Sequence, residues 1–296
     1  MLISIVITLY NRKELVVRAI DSVLSLTNLG DVEIIIVDDG STDEPLKVIK
    51  TYVNSGAISY FYKDNGGAAD AKNYGAERAT GDYIIFLDSD DYLENTSELI
   101  EYLRSYKNKD ISFFYSNSVV VQKGSKKNEL RTPIDFYKSD NIYKYVLSYP
   151  LNYPGKPIYI FRREKFLGVG GFTVSFKWGD AMLFWRLFLK DATCCEITFP
   201  TYIYDQTNEN SISRSRKDNY YVNVFNTLSS TYKEIEKELN FHGYQTNWIL
   251  VLWLISIRRV AFRDFFNLSL KLITNPMKSV RSVFFVLNKR RVRNEK

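Results

Sequence analysis

The chain has 296 residues, 45% of them hydrophobic and 25% charged, which is enough apolar content for a sizeable core and excludes disorder throughout. Its two cysteines, Cys194 and Cys195, are adjacent, so there is no ordinary disulfide framework, and a reducing cytoplasm is the expected setting. The net charge of +6 is uneven: residues 258–296 hold eleven Lys or Arg against Asp264 and Glu295, which leaves the rest of the chain at −3.

Apolar runs at 2–9, 32–38, 58–62 and 82–87 read as strands. Residues 12–26, 44–54 and 68–79 between them place apolar side chains at helical spacing, as with Leu15, Ala19, Val23 and Leu26 in the first. This alternation is the signature of βαβ units feeding one parallel sheet with right-handed crossovers. The first run starts at Leu2 and contains Ser4 and Thr8, unlike a cleavable leader. After Lys109 the pattern becomes irregular. A strand pair is expected around 111–121 with a Lys/Gly/Ser/Asn turn at 122–128, then a helix near 179–190, a strand from Thr198 to Tyr204 and helices beyond Asp218. The longest later apolar run, Trp248–Ile257, is half of the roughly 20 residues that a spanning helix needs, so no transmembrane segment is expected.

Each of the first four strands ends in polar residues, and in a parallel sheet these ends lie along one edge. They read Thr8-Leu9-Tyr10-Asn11-Arg12, Asp38-Asp39-Gly40-Ser41-Thr42-Asp43, Lys63-Asp64-Asn65-Gly66-Gly67 and Asp88-Ser89-Asp90-Asp91. Open α/β sheets bind ligands at that edge. Taken singly, "DDGST" is equally a turn with a helix N-cap, and the acidic cluster is equally a solvated turn. Carboxylates at a strand end suit a hard divalent cation such as magnesium or manganese, which prefers oxygen ligands and keeps waters and phosphates in its shell. An EF-hand does not fit: counting from Asp88, the sixth position is Leu93 and the twelfth Leu99, where glycine and glutamate are required. No G-x-G-x-x-G follows the first strand, which argues against a dinucleotide. Asp39 can accept the imide hydrogen of a uracil, which favours a UDP-linked ligand.

In order and spacing these segments resemble family 2 glycosyltransferases of the GT-A fold, in which a strand-end "TxYN", "VDDGSTD", "NxGxxxARNxG" and "DxD" build a nucleotide-sugar site. Here the third reads "NGGAADAKNYG" (65–75), with Lys72 where arginine is usual, and the fourth reads "DSD". The resemblance implies an α/β, GT-A (Rossmann-like), mostly parallel sheet flanked by helices, with a catalytic domain over 1–215 and a helical, basic C-terminal region over 216–296. It implies that Thr8, Tyr10 and Arg12 shape the base and ribose pocket, with Asp39, Gly66, Lys72, Asp88 and Ser89 in the same nucleotide-sugar site. Lysine at 72 keeps the charge but lacks the bidentate fork of arginine. Asp90 is the expected ligand of Mn2+ or Mg2+.

The family's acceptor-activating aspartate opens a helix, and "WGDAMLFWRLFLK" aligns Asp180 with it, Gly179 replacing the usual glutamate, downstream of the glycine-rich "GVGGF" (168–172). A plain first-turn acid is the alternative for Asp180. The implied reaction is metal-dependent inverting transfer of a hexose from a UDP-sugar to a hydroxyl of a saccharide acceptor, with a polyprenyl-linked saccharide in cell-surface polysaccharide assembly as the expected case. Where the family often carries a histidine, "YDQTNENSIS" places Thr207. The single histidine, His242, is expected to be structural or exposed. A nucleotidyltransferase would share the strand-end aspartates, but "TLYNRKEL" stands where such enzymes have a Gly-rich basic loop.

The last stretch mixes Trp248, Leu252, Trp253, Phe262, Phe265, Phe266, Phe284 and Phe285 with clustered Arg and Lys. Core packing with a solvated basic face is one reading. The preferred one is peripheral attachment to the anionic inner face of the cell membrane. Nucleic acid is not expected, because no nucleic-acid-binding motif accompanies the charge. A catalytically inactive, membrane-attached binding protein is the alternative that shares this tail.

Overall fold

Ile3, Ile5, Ile7 and Leu9 on one side of the first strand, and Ser4 and Val6 on the other, are all buried. This is the mark of a strand covered on both faces. The computed structural model describes residues 3–25, 29–122, 125–129, 142–148, 158–174, 180–205, 207 and 220–256. The first hundred residues run β1 (Ile3–Leu9), α1 (Lys13–Leu24), β2 (Val32–Asp39), α2 (Leu46–Asn54), β3 (Ser59–Lys63), α3 (Ala68–Arg78), β4 (Tyr83–Asp88), β5 (Tyr92–Leu93) and α4 (Thr96–Arg104). The rest runs β6 (Phe113–Gln122), β7 (Ser125–Glu129), α5 (Ile142–Ser148), β8 (Ile158–Arg162), α6 (Arg163–Gly168), α7 (Asp180–Phe188), β9 (Cys194–Asp205), α8 (Tyr220–Phe241) and α9 (Gln245–Ser256).

The strand order is β3-β2-β1-β4-β8-β6-β9-β5, with β7 beside β6. β1 to β4 are mutually parallel where they pair, and their register aligns Thr8 with Asp88, Leu9 with Asp38, and Asp39 with Lys63. The expected shared edge therefore exists. Beyond β4 the sheet is mixed: β8 is antiparallel to β4 and β6, β9 is parallel to β6, and β5 is antiparallel to β9. The expected strand pair at 111–121 is the single strand β6, and its antiparallel neighbour β7 occupies most of the stretch read as a turn. Its sequence, SKKNE, has no apolar alternation, and polar, charged strands of this kind are typical of sheet edges.

One face of the sheet packs Val16, Ala19, Ile20 and Val23 of α1 and Leu99, Ile100 and Leu103 of α4 against Ile3, Ile5, Ile7 and Ile34. Each fully buried aliphatic side chain contributes about 1.5–3 kcal/mol. Across the sheet, α3 comes so close that a Cβ on Gly75 would run into Val6 Cγ1, with Val37 Cγ2 at 3.1 Å.

The chain divides into two compact units. The first holds all nine strands with α1–α4 and α6. The second holds α5, α7 as far as Leu187, α8 and α9. The second unit takes the chain from Ser215 onward, and residues 134–154 and 175–187 also belong to it. Asp180 is thus grouped with the helical unit and not with the N-terminal domain. The core of that unit joins Leu147, Phe225, Leu228, Ile235, Leu239 and Trp248. Trp248 Nε1 donates to the Leu147 carbonyl at 2.8 Å and Asn247 Nδ2 to that of Ser148 at 2.9 Å. Trp248 and Leu252, read as part of the membrane-facing tail, are core residues of this unit. The basic stretch 258–296 lies outside the described residues. No described helix is long and apolar enough to cross a membrane.

Candidate active site

Loops following the parallel strands are tied to one another. After β1, Asn11 adopts a left-handed φ of 51°, and its N–H donates to Ser41 Oγ while its Oδ1 accepts the Thr42 N–H at 2.7 Å. The Lys13 N–H donates to Asp43 Oδ2. Gly40, at φ +79°, has no room for a side chain, since a Cβ would sit 2.9 Å from the Asn65 nitrogen. "TLYN", "DDGSTD" and "KDNGG" are therefore one structure and not three turns.

Asp38 and Asp39 sit at successive positions of β2 and so face opposite sides. Asp38 accepts hydrogen bonds from Tyr60 Oη at 2.5 Å and from the Ser41 N–H. Burial, then the Asp38 contact, push the Tyr60 phenol up. Asp38 lines a groove of about 540 Å3 with Ser41, Leu46, Lys50, Tyr60 and Tyr62, which none of Asp39, Asp88 and Asp90 joins. Asp39 is buried and accepts the N–H groups of Gly66 and Gly67 at 2.9 and 2.8 Å and the Lys63 ammonium at 2.9 Å. Its two oxygens offer about four lone-pair sites, so three are occupied and one acceptor position remains. Asn65 Nδ2 donates to the Asp39 carbonyl. Burial works against the charge on Lys63, but Asp70 and Asp39 outweigh it and raise its pKa.

The three aspartates after β4 have three different environments. Asp88 is about half exposed and pairs with Lys72 Nζ at 2.9 Å, and Thr8 Oγ1 donates to it at 3.4 Å. Asp90 faces Arg12 at 3.4 Å; burial, then the charge of Asp88, push its carboxyl up against the pull of Arg12. Asp91 is buried and accepts Tyr202 Oη at 2.5 Å and the Asp205 N–H at 2.9 Å. Burial, then Asp88, push its pKa up to about 8. Its contacts fasten the loop to β9, so the third aspartate serves the architecture. Ser89 is buried, and its N–H donates to the Thr8 carbonyl. Tyr10 is 43% exposed, presenting a ring beside Asn11 on which a base could stack.

The described residues contain no group of three or more side chains set to hold a metal. Asp88 and Asp90 still suit a hard cation, which takes one or two carboxylates and completes its shell with water and phosphate. The repulsion that Asp88 exerts on Asp90 is what such a cation would relieve.

Arg18 and Asp205 gave no signal in the sequence, being 187 positions apart. Arg18 donates one guanidinium nitrogen to Asp205 Oδ2 and the other to the Asp90 carbonyl, both at 2.6 Å, and lies over the Tyr92 ring. Thr207, at the position where a histidine is usual, donates both Oγ1 and N–H to Asp205 Oδ1. Burial raises the Asp205 carboxyl, but the Thr207 and Arg18 contacts prevail and hold it below the usual range. Lys63 did have a signal: it opens the polar strand end Lys63-Asp64-Asn65-Gly66-Gly67, three positions before the glycine pair.

Asp180 is the first residue of α7; Gly179 and most of "QTNENSIS" lie outside the described residues. Downstream in the same helix, Arg186 is 1% exposed. It donates to the Val146 carbonyl at 3.0 Å and stacks 4.6 Å from the Trp248 ring, tying α7 to α5 and α9. His242 lies 4.0 Å from Glu238 and packs on Tyr143 and Tyr244.

A parallel block with tied, carboxylate-bearing strand ends, extended by antiparallel strands, is the GT-A architecture. The chain is similar to S. aureus TarS 1–349 in complex with UDP-GlcNAc (TM-score 0.66, 16% identity, 90% of this chain and 79% of that one). It is also similar to the mannosyltransferase PcManGT of Pyrobaculum calidifontis in complex with GDP-Man and Mn2+ (TM-score 0.51, 14% identity, 96% of this chain and 84% of that one). The Glycosyl transferase family 2 model matches residues 4–189, and the chain belongs to that family. An uncharacterized glycosyltransferase of Rickettsia bellii is 41% identical over 98 residues, 33% of this chain and 14% of that protein. The chondroitin synthase of Pasteurella multocida is 40% identical over 118 residues, 40% of this chain and 12% of that protein. The matched stretch therefore spans about an eighth of the length of these relatives.

Proposed function

We propose that this protein is an inverting glycosyltransferase that moves a hexose from a UDP-sugar to a hydroxyl of a saccharide acceptor. The observation that carries the reading is the Asp39 carboxylate, fixed by Lys63 and two glycine N–H groups, on the same sheet edge as Asp88 and Asp90 with their cationic partners Lys72 and Arg12. A buried acceptor with one lone-pair position left suits the imide N–H of uracil. The UDP-GlcNAc complex of TarS supports a uridine donor, and the chondroitin and hyaluronan synthases among the relatives support a polysaccharide acceptor.

In this reading Tyr10 stacks on the base, and Thr8, Gly66 and Ser89 line the pocket around it. Arg12 joins the base and ribose pocket, Lys72 faces the diphosphate, and Asp90, with Asp88 beside it in the nucleotide-sugar site, would hold Mn2+ or Mg2+. The bound ion supplies Lewis-acid stabilisation of the charge that gathers on the departing diphosphate. Asp180 takes the proton of the acceptor hydroxyl as its oxygen attacks the anomeric carbon. The bond from that carbon to the diphosphate oxygen breaks, UDP leaves with the bonding pair, and the configuration inverts. The acceptor is a lipid-linked saccharide of a cell-surface polysaccharide. The basic stretch 258–296 rests on the anionic inner face of the membrane, at about 1 kcal/mol for each Lys or Arg near the surface. Nucleic acid has no part in this reading.

The test is UDP release from a panel of nucleotide sugars, with and without Mn2+, using lipid-diphosphate saccharides as acceptor. Release from UDP-sugars that depends on acceptor and metal is expected, and no turnover of any UDP-sugar would refute the reading. Co-sedimentation with anionic liposomes, for the full chain and a version ending at Ile257, tests the membrane contact; equal recovery would remove it.

A further inference from the structure

Asn73 lies next to Lys72 on α3 but reaches a different part of the molecule. Its Nδ2 donates to the Phe172 carbonyl at 2.7 Å, and its Oδ1 accepts the Phe172 N–H at 2.8 Å. This two-point match of a side-chain amide to a peptide group spans 99 positions of sequence. The peptide belongs to the glycine-rich loop after α6, where Gly170 and Gly171 adopt left-handed φ values of 82° and 69°. A Cβ on Gly171 would sit 2.5 Å from Asn73 Oδ1. The loop is also pinned through its aromatic ring, since Phe172 packs on Phe86 and Phe166 at 5.4 and 5.0 Å. Phe86 lies two residues before Asp88 on β4, hence on the same face of the strand.

Consecutive residues of one helix therefore hold two different things: Lys72 holds Asp88, and Asn73 holds the loop that sits over the face of β4 carrying Asp88. Gly171 is buried against Asn73 and Phe166, whereas Gly170 beside it is exposed with nothing within 4 Å of where its Cβ would be, and such side-chain-free backbone suits close approach of a polyhydroxylated ring.

We propose that Asn73 is a positioning residue for sugar transfer, setting the Gly170–Phe172 backbone as a wall of the sugar subsite. The nucleotide is held elsewhere, by the Asp39 cluster. This rests on the UDP-sugar reading above, and it predicts a separation that a purely architectural contact would not produce: loss of transfer with nucleotide affinity intact.

The experiment compares wild type, Asn73→Ala, Asn73→Asp, Gly171→Ala and the double variant Asn73→Ala/Gly171→Ala. It measures UDP affinity by calorimetry and kcat and KM with the UDP-sugar that the wild type turns over. Asn73→Asp keeps the acceptor for the Phe172 N–H and loses the donor, so it serves if Asn73→Ala does not fold. Expected are UDP dissociation constants within twofold of wild type, kcat reduced at least tenfold in Asn73→Ala and Gly171→Ala, and an intermediate loss in Asn73→Asp. The double variant should lose less than the product of the single losses, because removing Oδ1 removes what the new methyl group meets. Wild-type kcat in Asn73→Ala, or UDP affinity falling in step with kcat, would overturn the proposal. A wild type that turns over no UDP-sugar would instead refute the donor reading, which the controls report separately.

Discussion

The Lys63 ammonium lies 2.9 Å from Asp39 Oδ1 and makes a second ion pair with Asp70 at 2.5 Å. Lys63 and Asp39 are register partners at the ends of β3 and β2, so the strand pairing itself delivers the cation to the carboxylate. Only 14% of the lysine side chain and 5% of the aspartate's are exposed, which limits screening by water and salt.

Removing one member of such a pair leaves the other uncompensated. Lys63→Met should leave Asp39 held by the two glycine N–H groups alone and free to shift its rotamer. UDP affinity is expected to fall about tenfold, roughly 1.4 kcal/mol, with the melting temperature lowered by a few degrees. Calorimetric titration with UDP checks this, and unchanged affinity would separate the pair from nucleotide binding.

Asp180→Asn preserves the shape of the first turn of α7 but cannot take a proton. A positioned general base is worth about 10²–10⁴-fold in rate, so kcat should drop by that factor while UDP binds as before. A variant that retains full turnover would reduce Asp180 to a helix-terminal acid.

Asp90→Ala removes the carboxylate whose pKa burial and Asp88 have raised. Mn2+ should strengthen UDP binding to the wild type and have little effect on the variant. Titration of UDP with and without the ion reads this directly, and the same Mn2+ enhancement in the variant would place the cation elsewhere.

Gly75→Ala sets two effects against each other. Alanine favours a helix by about 0.8–1 kcal/mol over glycine, but here the new Cβ would meet Val6 Cγ1, and overpacking a closed core costs about 1–3 kcal/mol. The clash should win, lowering the melting temperature by several degrees. A rise would mean that α3 can move away from β1 without penalty.

The parallel half of the sheet was legible because its strands are apolar runs: Ile3–Leu9 and Tyr83–Asp88 are buried on both faces and read as such. The shared edge followed from topology, and with it Thr8, Asp39, Asp88 and Asp90. What was not legible lies in long-range pairs. The Asn73–Phe172, Arg18–Asp205 and Tyr202–Asp91 contacts join positions about one hundred or more apart, and no local pattern says which residue meets which. β7 was missed because a charged edge strand is built to look unlike a strand. The "DSD" match left Asp91 aside, but nothing local showed that burial and its bonds to Tyr202 and Asp205 give it another task.

The Arg18–Asp205 pair makes the pH dependence of stability testable. The Asp205 carboxyl is held below its ordinary value of about 3.8 because Thr207 and Arg18 outweigh burial. A depressed folded-state pKa means that the unfolded chain binds the proton more readily than the folded one does. The stabilisation is therefore complete above the unfolded pKa and is lost as pH falls through the folded one. Asp205→Asn keeps an acceptor for Thr207 but removes the charge that faces Arg18. The difference in melting temperature between wild type and variant should be constant from about pH 7 to pH 5 and should shrink below about pH 4. Arg18→Met should show the same narrowing, since it removes the other half of the pair. A difference that stays constant down to about pH 2.5 would mean that the charge on Asp205 contributes nothing, and that the β9 end is held by its hydrogen bonds alone.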